Sequence, residues 1–260
     1  MKSYFVSDLH LGSAKEPNAA VFQRFLRRLA DVAGAGANIK LFLVGDIFDL
    51  WVANHVYFKR KFQTVWEPLR ELRQRGVEIH YFEGNHDLYL KDFFEDFLGL
   101  TVHRQAAYYE IDGRTVRVEH GDQMDPDDKG YLFLRWFLRT PFMEFVAPRL
   151  PDAAVVRIGE RASSMSREYT STRKAATQEA IFDKIRAHVR KAYAERPFDL
   201  FVSGHVHVLF DETIEVAADS SGDPRTVRAV NLGTWLEKPT VFSMSANNMK
   251  FIDPRSNLPD

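Results

Sequence analysis

Short apolar runs alternate with longer helical patterns along the first part of the chain. The runs at residues 4–7, 41–44 and 79–83 are rich in Phe, Leu, Val and Ile and end abruptly in polar residues, which predicts buried strands. Between them, apolar residues recur at helical spacing over residues 18–33 and 62–75. Because strand, helix, strand repeats favour parallel pairing, the pattern predicts an α/β fold.

Two further strand-like runs, at residues 115–119 and 199–203, also stop at polar residues. Five predicted strands therefore end at candidate functional side chains. In open α/β sheets, ligands bind outside the carboxyl ends of the strands, so we expect one functional rim. After residue 207 the chain returns to short strand patterns with a turn at 219–224, which predicts that the C-terminus completes a second sheet.

The segment between the last two of these five strands has a different pattern. Residues 121–196 are helix-like, with aromatic and aliphatic side chains concentrated over residues 131–146 and basic residues among Ser and Thr over 157–174. We predict one domain over residues 1–260, with a helical cap inserted at about 122–196. Apolar helix stripes usually face a core, so burial of these aromatics against the main sheet is the alternative to an exposed binding face.

Composition and charge exclude several classes of function. The chain has no cysteine, which rules out disulfides, thiolate catalysis and sulfur-ligated metal centres, whereas nine histidines remain available. A formal net charge of −1 gives no footprint of a dedicated nucleic-acid binder, so we expect no nucleic-acid partner. The N-terminus lacks signal-peptide features, and charges interrupt residues 131–146 short of a membrane span, which favours a cytoplasmic protein.

The polar residues at the strand ends are of the types that ligate metals. Singly, an Asp-x-His pair or a Gly-Asp turn is common; together, five such motifs follow five strands in order. The candidate ligands are Asp8, His10, Asp46, Asn85, His120, His205 and His207. Oxygen and nitrogen ligands without sulfur favour Mn, Fe or Zn, with Mn our first choice. This number of ligands exceeds the needs of one ion, which predicts two divalent ions.

The ligand charges indicate an anionic substrate. Asp46 follows the end of a central strand, so it is the candidate carboxylate to bridge two ions. A bridging hydroxide would then be the nucleophile. Two dications with Asp8, Asp46 and hydroxide retain a positive charge, which favours a phosphate ester or anhydride. His86 follows Asn85 without being needed as a ligand. It is the candidate catalytic residue that contacts phosphoryl oxygens or protonates the leaving group, with Asp49 or Asp87 orienting its ring.

As a set, these motifs resemble those of the calcineurin-like metallophosphoesterases over nearly the whole chain. The resemblance implies a two-sheet sandwich flanked by helices, that is, a four-layer α/β/β/α architecture with the inserted cap. It also implies a division of the ligands between two metals. One metal would be held by Asp8, His10, Asp46 and His207, and the other by Asp46, Asn85, His120 and His205.

A narrower resemblance rests on residues 45–51, 120–131 and 232–235, which are similar to the UDP-2,3-diacylglucosamine pyrophosphatases of lipid A synthesis. It implies hydrolysis of UDP-2,3-diacylglucosamine to UMP and 2,3-diacylglucosamine 1-phosphate, with acyl chains on the apolar side of the cap and peripheral contact with the inner-membrane surface. The implied substrate contacts are Asn85, His86, His205, Asp128 and the cap positions Ser166, Thr170 and Arg173.

One residue departs from that narrower family. Its best-known members carry arginine where this chain has His86, whereas His is usual in the broader superfamily. The alternative is therefore the same metal chemistry on another phosphoester, such as a nucleotide or a phosphoprotein. A non-catalytic metal-binding scaffold is a third reading. Four histidines outside the motifs are expected to be surface or structural residues: His55, His80, His103 and His188.

Overall fold

The computed structural model describes residues 1–159, 161, 178–218 and 224–256. The first of two large central sheets has six strands, in the order β13-β12-β1-β2-β4-β6. Its strands are β1 (Lys2–Val6), β2 (Ile39–Leu43), β4 (Glu78–Phe82), β6 (Thr101–His103), β12 (Val241–Ser245) and β13 (Asn248–Ile252). β1, β2, β4 and β6 pair in parallel, with Tyr4 opposite Leu41 and Leu41 opposite Ile79, so the predicted parallel pairing is confirmed.

The second large sheet has five strands, in the order β10-β11-β9-β8-β7. Its strands are β7 (Ala107–Ile111), β8 (Arg114–Val118), β9 (Leu200–Ser203), β10 (Leu209–Ala218) and β11 (Pro224–Leu232). β10 and β11 are longer than the short strands that the sequence predicts. Exposed charged residues interrupt the apolar runs of both strands, so the hydrophobic pattern indicates only part of each one. Apart from Pro224, the predicted turn at 219–224 lies outside the described residues. A small parallel sheet joins β3 (Trp51–Val52) to β5 (Asp87–Leu88).

Helices cover the outer faces of both large sheets. The long helices are α1 (Pro17–Gly34), α3 (Gln63–Gln74) and α6 (Gln178–Glu195); the shorter ones are α2 (Val56–Lys61), α4 (Lys129–Leu138) and α5 (Pro141–Val146), with a π-helical turn at Lys91–Glu95 and a 3-10 turn at Ala147–Arg149. Residues 152–159 are also helical.

Alternate strand residues serve different layers of the core. Tyr4 and Val6 point into the cluster that contains the apolar faces of α1 and α3, whereas Phe5 packs with Val118 between the two sheets. A third cluster lies between α6 and the five-stranded sheet. This distribution follows the two-residue period of a strand. The predicted four-layer α/β/β/α architecture is therefore confirmed.

The segment between β8 and β9 contains two different kinds of helix. α6 buries Ile185, Val189 and Ala192 as an outer layer of the sandwich, whereas α4 and α5 bury no residue. The predicted contacts Ser166, Thr170 and Arg173 lie outside the described residues. Within the described part of the chain, no helix has the length and apolar character needed to cross a membrane.

Candidate metal centre

The loops that follow the parallel strands meet at one rim of the sandwich. The amide of Asp8 donates to the carbonyl of Gly45 at 3.1 Å, and the amide of His10 donates to that of Asp46 at 3.0 Å. On the second sheet, the amide of Gly204 donates to the carbonyl of His120 at 2.9 Å. These backbone bonds hold residues far apart in sequence side by side, as expected for loops at the carboxyl ends of parallel strands.

One cluster of candidate ligands combines Asp8, His10 and His207. His207 Nε2 lies 3.2 Å from Asp8 Oδ1, and His10 Nε2 lies 3.6 Å from the same oxygen. The two Nε2 atoms are 2.9 Å apart. Asp8 is fully buried, while the side chain of His207 is 31% exposed, so the cluster opens toward solvent on the His207 side.

The second cluster combines Asp46, His120 and His205, with Asn85 beside them. His120 Nε2 lies 3.5 Å from Asp46 Oδ2 and 3.3 Å from Asn85 Oδ1, and His205 Nδ1 lies 3.0 Å from that amide oxygen. Asp46 Oδ2 is also 4.0 Å from His10 Nε2 of the first cluster. The Asp46 carboxylate thus lies between the two groups.

The side chains at this rim fit divalent cations. Asp8 Oδ1 is buried and has no hydrogen-bond partner within the described residues, although a buried carboxylate oxygen without a partner is costly. Carboxylate, amide and imidazole groups converge without sulfur, which is the donor set of hard and borderline dications. A cation would satisfy the free oxygen and neutralise two buried carboxylates.

The candidate ligands are held in an unusual backbone conformation. Within the described residues, Asp8, His10, Asp46, His205 and His207 all have φ between 48° and 71°, a region that L-residues with side chains seldom adopt. Such conformations persist only where the surrounding structure enforces them, and they cluster at functional sites. The strain therefore supports a functional assignment for these five residues.

Close packing leaves no room for side chains at two glycines of the rim. A Cβ at Gly84 would overlap the Asp46 carboxylate, and a Cβ at Gly45 would overlap the His120 ring. Gly45 also has a φ of 85°. These two motif glycines let backbone approach the candidate ligands directly.

Charge partners control the protonation of the cluster. Burial acts to raise the pKa of Asp8 and Asp46, but the surrounding imidazoles outweigh it and hold both pKa values below the usual range. Burial acts to lower the pKa of His120, yet Asp46 raises it to about 10. Burial and the charge of His120 lower the pKa of His205 to about 4. The two carboxylates are therefore ionised, as cation binding requires.

Asp49 contacts the His86 ring, whereas Asp87 binds other groups, so the prediction that Asp87 could orient this ring is wrong. Asp87 accepts hydrogen bonds from the amides of Asp46, Ile47 and Gly84 at 2.7 to 3.1 Å, so it joins the loops after β2 and β4. His86 Nδ1 instead lies 2.9 Å from the backbone carbonyl of Asp49 and 3.9 Å from its carboxylate. Because a carbonyl only accepts, Nδ1 carries the hydrogen and Nε2 is the nitrogen left for a ligand.

The sequence motif at residues 232–235 supports Asp8. The carbonyl of Asp8 accepts from the Thr234 hydroxyl and from the Trp235 amide, both at 3.1 Å. Asp8 Oδ2 accepts from the His205 amide at 2.9 Å and from the Ser7 hydroxyl. Thr234 and Trp235, in the loop after β11, thus hold the strained Asp8 backbone although they lie more than two hundred residues away in the chain.

Helix α4, in the segment predicted to form a cap, is fixed to the rim by a polar face, which the sequence reasoning did not identify. Tyr131 and Arg135 both donate to Asp122 Oδ2, at 2.8 and 2.6 Å, and the Tyr131 ring lies 5.8 Å from that of His205. Asp128, a predicted substrate contact, caps the helix by accepting from the Tyr131 amide at 3.1 Å. The four-residue spacing of Tyr131, Arg135 and Arg139 is the signal that could have shown this face.

The histidines outside the motifs have structural partners. His55 contacts the Asp152 carboxylate at 2.8 Å and the Ala147 carbonyl at 3.0 Å, which fixes the segment after α5 to the start of α2. His188 on α6 lies 2.6 Å from the buried Glu119 carboxylate. His80 and His103 lie between the sheets, both in contact with the Tyr109 hydroxyl.

Comparison with known proteins agrees with this geometry. The model of the family described as Calcineurin-like phosphoesterase matches residues 1–209. A UDP-2,3-diacylglucosamine hydrolase of Stenotrophomonas maltophilia (strain R551-3) is 29% identical over 250 residues, which cover 95% of this chain and 96% of that protein.

Two further relatives carry the same name. The UDP-2,3-diacylglucosamine hydrolase of Aeromonas salmonicida (strain A449) is 28% identical over 256 residues, covering 96% of this chain and 92% of that one. That of Porphyromonas gingivalis (strain ATCC BAA-308 / W83) is 28% identical over 251 residues, covering 90% of each chain. Since the family match spans most of the chain and its motifs meet at one rim, the chain belongs to the calcineurin-like phosphoesterase family and is a metal-dependent hydrolase.

Proposed function

We propose that this chain hydrolyses the pyrophosphate bond of UDP-2,3-diacylglucosamine, releasing UMP and 2,3-diacylglucosamine 1-phosphate. The observation that carries the proposal is the position of the exposed apolar face of α4 beside two clusters of metal-ligand type. The polar face of α4 contacts Asp122 at the rim, while its outward face exposes Phe133 and Trp136 at 65% and 62%. A phosphorylated lipid requires this combination of a cationic centre and an apolar surface.

The acyl chains are assigned to the outer side of the cap helices. Exposed large apolar residues on α4, α5 and the helical residues that follow form this surface: Phe133, Leu134, Trp136, Phe137, Phe142, Phe145 and Ile158. A diacylated substrate partitions into a bilayer, so we place the enzyme peripherally on the cytoplasmic face of the inner membrane. Exposure of aromatics on this scale is costly in water and fits contact with lipid.

Two divalent ions, Mn in the first instance, are proposed as cofactors. Asp8, His10 and His207 would hold one ion, His120, His205 and Asn85 the other, and Asp46, which lies between the clusters, would bridge them. Bound there, the ions would supply Lewis acidity toward phosphoryl oxygens and acidify the attacking water.

The protein's own residues would orient the phosphate and donate a hydrogen to a phosphoryl oxygen or to the leaving group. His86 is held through Nδ1 by the Asp49 carbonyl, and its ring lies 4.9 Å from that of His10. When the ring is protonated, Nε2 donates to a phosphoryl oxygen or to the leaving group. Asp49 thus acts as a positioning residue through its backbone, and its carboxylate supports the cationic ring.

A second candidate function is hydrolysis of another phosphoester, such as a nucleotide or a phosphoprotein. The observation that favours it is His86 itself. Imidazole is smaller than guanidinium and offers one free nitrogen, so it cannot make the bidentate phosphate contact of an arginine.

Product analysis separates the two functions. Purified protein with Mn²⁺ is incubated with UDP-2,3-diacylglucosamine and, in parallel, with bis(p-nitrophenyl) phosphate, and UMP and p-nitrophenol are quantified. We expect UMP release that EDTA abolishes and added Mn²⁺ restores. Hydrolysis of the simple diester without UMP release would exclude the lipid assignment and favour the second function.

A further inference from the structure

The end of α4 contacts the loop that carries Asn85 and His86. Arg139, the residue that ends this helix, donates through Nη1 to Glu83 Oε2 at 3.0 Å, and its Nη2 lies 3.5 Å from the carbonyl of Gly84. Glu83 and Gly84 are the two residues that precede Asn85. The cap helix is therefore in direct contact with the start of the catalytic loop.

The other end of the same loop is held by the preceding residue of the helix. The hydroxyl of Tyr89 donates to the carbonyl of Leu138. Tyr89 has a φ of 57°, so the loop leaves this point in a conformation that needs external support. Leu138 and Arg139 thus hold both ends of residues 84–89.

Glu83 closes the loop across its base. Its side chain is 2% exposed. Its Oε2 lies 3.0 Å from Arg139 Nη1 and 3.7 Å from Arg104 Nε, and its Oε1 accepts from the amide of Leu90 at 3.0 Å. The position of the carboxylate therefore depends on the Arg139 guanidinium, which makes its shortest ionic contact.

The Arg139 side chain is largely shielded from solvent, and one of its donors has no partner. Its side chain is 11% exposed, and Nε has no hydrogen-bond partner within the described residues. Nη1 makes one further contact, with the carbonyl of Arg104 at 3.2 Å. A buried donor atom without a partner is uncommon and calls for a physical reason.

We propose that Arg139 is a positioning residue that couples the seating of the cap helix to the placement of Asn85 and His86. The proposal rests on the hydrolytic function above. When α4 occupies its place on the rim, the Arg139 fork fixes Glu83 and the Gly84 carbonyl, and the next two side chains are aimed at the metal clusters. If α4 shifts, Arg139 no longer contacts Glu83 and Gly84, and the loop loses this support. Cap engagement by substrate thereby prepares the groups that act on phosphate.

The proposal predicts a catalytic defect without a binding defect. Arg139→Met keeps the length of the side chain and removes the fork. We expect kcat for bis(p-nitrophenyl) phosphate, which has no acyl chains to contact the outer face of α4, to fall on the order of 10- to 100-fold with little change in KM, because small misplacement of reacting groups is costly. Arg139→Lys retains the charge beside Glu83 and should recover part of the loss.

Arg228→Met is the matched control. Arg228 also pairs with a carboxylate, Asp211, and with a backbone carbonyl, that of Met249, but it lies on β11 at the sheet end opposite the rim. We expect its kcat to stay within about twofold of the wild-type value. Equal losses in the two Met variants would mean general destabilisation and would overturn the proposal.

A double-mutant cycle gives the decisive readout. If Arg139 acts through the loop, Arg139→Met costs a smaller factor in kcat when His86 has already been changed to Ala. Full additivity of the two losses, or wild-type kcat for Arg139→Met, would refute the coupling. The cycle is readable on the simple diester, so failure of the wild-type enzyme to release UMP from the lipid would reject the proposed substrate and leave this test intact.

Discussion

The rim that carries the candidate metal ligands and the outer face of α4 are neighbours. Each departs from the usual distribution of side chains, and the two departures are opposite. The rim buries ionised groups: Asp8 and Asp46 are 0% and 1% exposed. The cap exposes aromatic rings: Phe133 and Trp136 are 65% and 62% exposed. Ordinary cores do neither, because burying charge and exposing large apolar surface both cost free energy.

The difference shows what each region requires from outside the chain. The buried carboxylates at the rim are compensated in part by imidazoles, and cations would complete that compensation. The α4 rings of Phe133 and Trp136 contact each other, but α4 buries none of its residues. α1 makes the contrast clear, since its apolar stripe is buried against the sheet through residues such as Phe22 and Phe25. One helix completes the core, and the other leaves its apolar face exposed.

The largest effect is expected from the rim. Asp46→Asn preserves shape and removes the charge that lies between the two clusters, so hydrolysis of either substrate should fall by at least about 10³-fold, because the residues of such a centre act as a unit. Initial rates and bound metal measured by plasma mass spectrometry check the prediction. Asp112→Asn is the matched control, since Asp112 also has a left-handed backbone but lies in the turn between β7 and β8. Undiminished rates for Asp46→Asn would break the assignment of the rim.

A pair of identical substitutions tests the contrast between core and cap. Phe22→Ala removes a fully buried ring and should lower the free energy of unfolding by about 3–5 kcal/mol. Phe133→Ala should change it by less than about 0.5 kcal/mol while lowering kcat/KM for the diacylated substrate. Urea denaturation and steady-state kinetics provide the measurements. A large loss of stability for Phe133→Ala would show that this ring is part of a core.

The smallest effect concerns histidines with and without a carboxylate neighbour. Asp46 raises the pKa of His120 to about 10, whereas burial lowers that of His103 to about 4 from 6.5. Between pH 6.5 and 4, His103 binds a proton in the unfolded chain but stays neutral in the folded protein. Its contribution to stability is therefore complete above pH 6.5 and is lost as the pH falls toward 4. His103→Asn should flatten this part of the pH dependence of urea unfolding in EDTA, and an unchanged slope would contradict the assignment.

The layered fold was largely predictable from the sequence. Apolar runs in β1, β2 and β4 are short and end at glycine or acidic residues, while α1 repeats apolar residues at helical spacing, so local pattern and tertiary role agree. The meeting of the candidate ligands at one rim was predictable for a related reason. They follow strand tips, and parallel pairing brings strand tips together wherever they occur in the chain.

The residues that support the site were harder to predict. Asp87 belongs to a ligand-like motif, yet it bonds backbone amides of another loop. Arg135 and Arg139 resemble the basic residues of any solvated helix, and only their partners Asp122 and Glu83 give them a role. Hydrogen bonds between distant segments depend on three-dimensional orientation, which residue type and spacing do not specify.

By itself, the sequence determined the types of layer, the order of the strands' ligand motifs and a donor set of oxygen and nitrogen suited to divalent cations, because these follow from local periodicity and side-chain chemistry. The tertiary structure decided which side of α4 faces the rim. Its apolar residues predict a helix equally well with the aromatics inward or outward, and the choice was made by Asp122 and Glu83, whose buried carboxylates require the Tyr131, Arg135 and Arg139 donors. The aromatic face is exposed because the polar face has the partners.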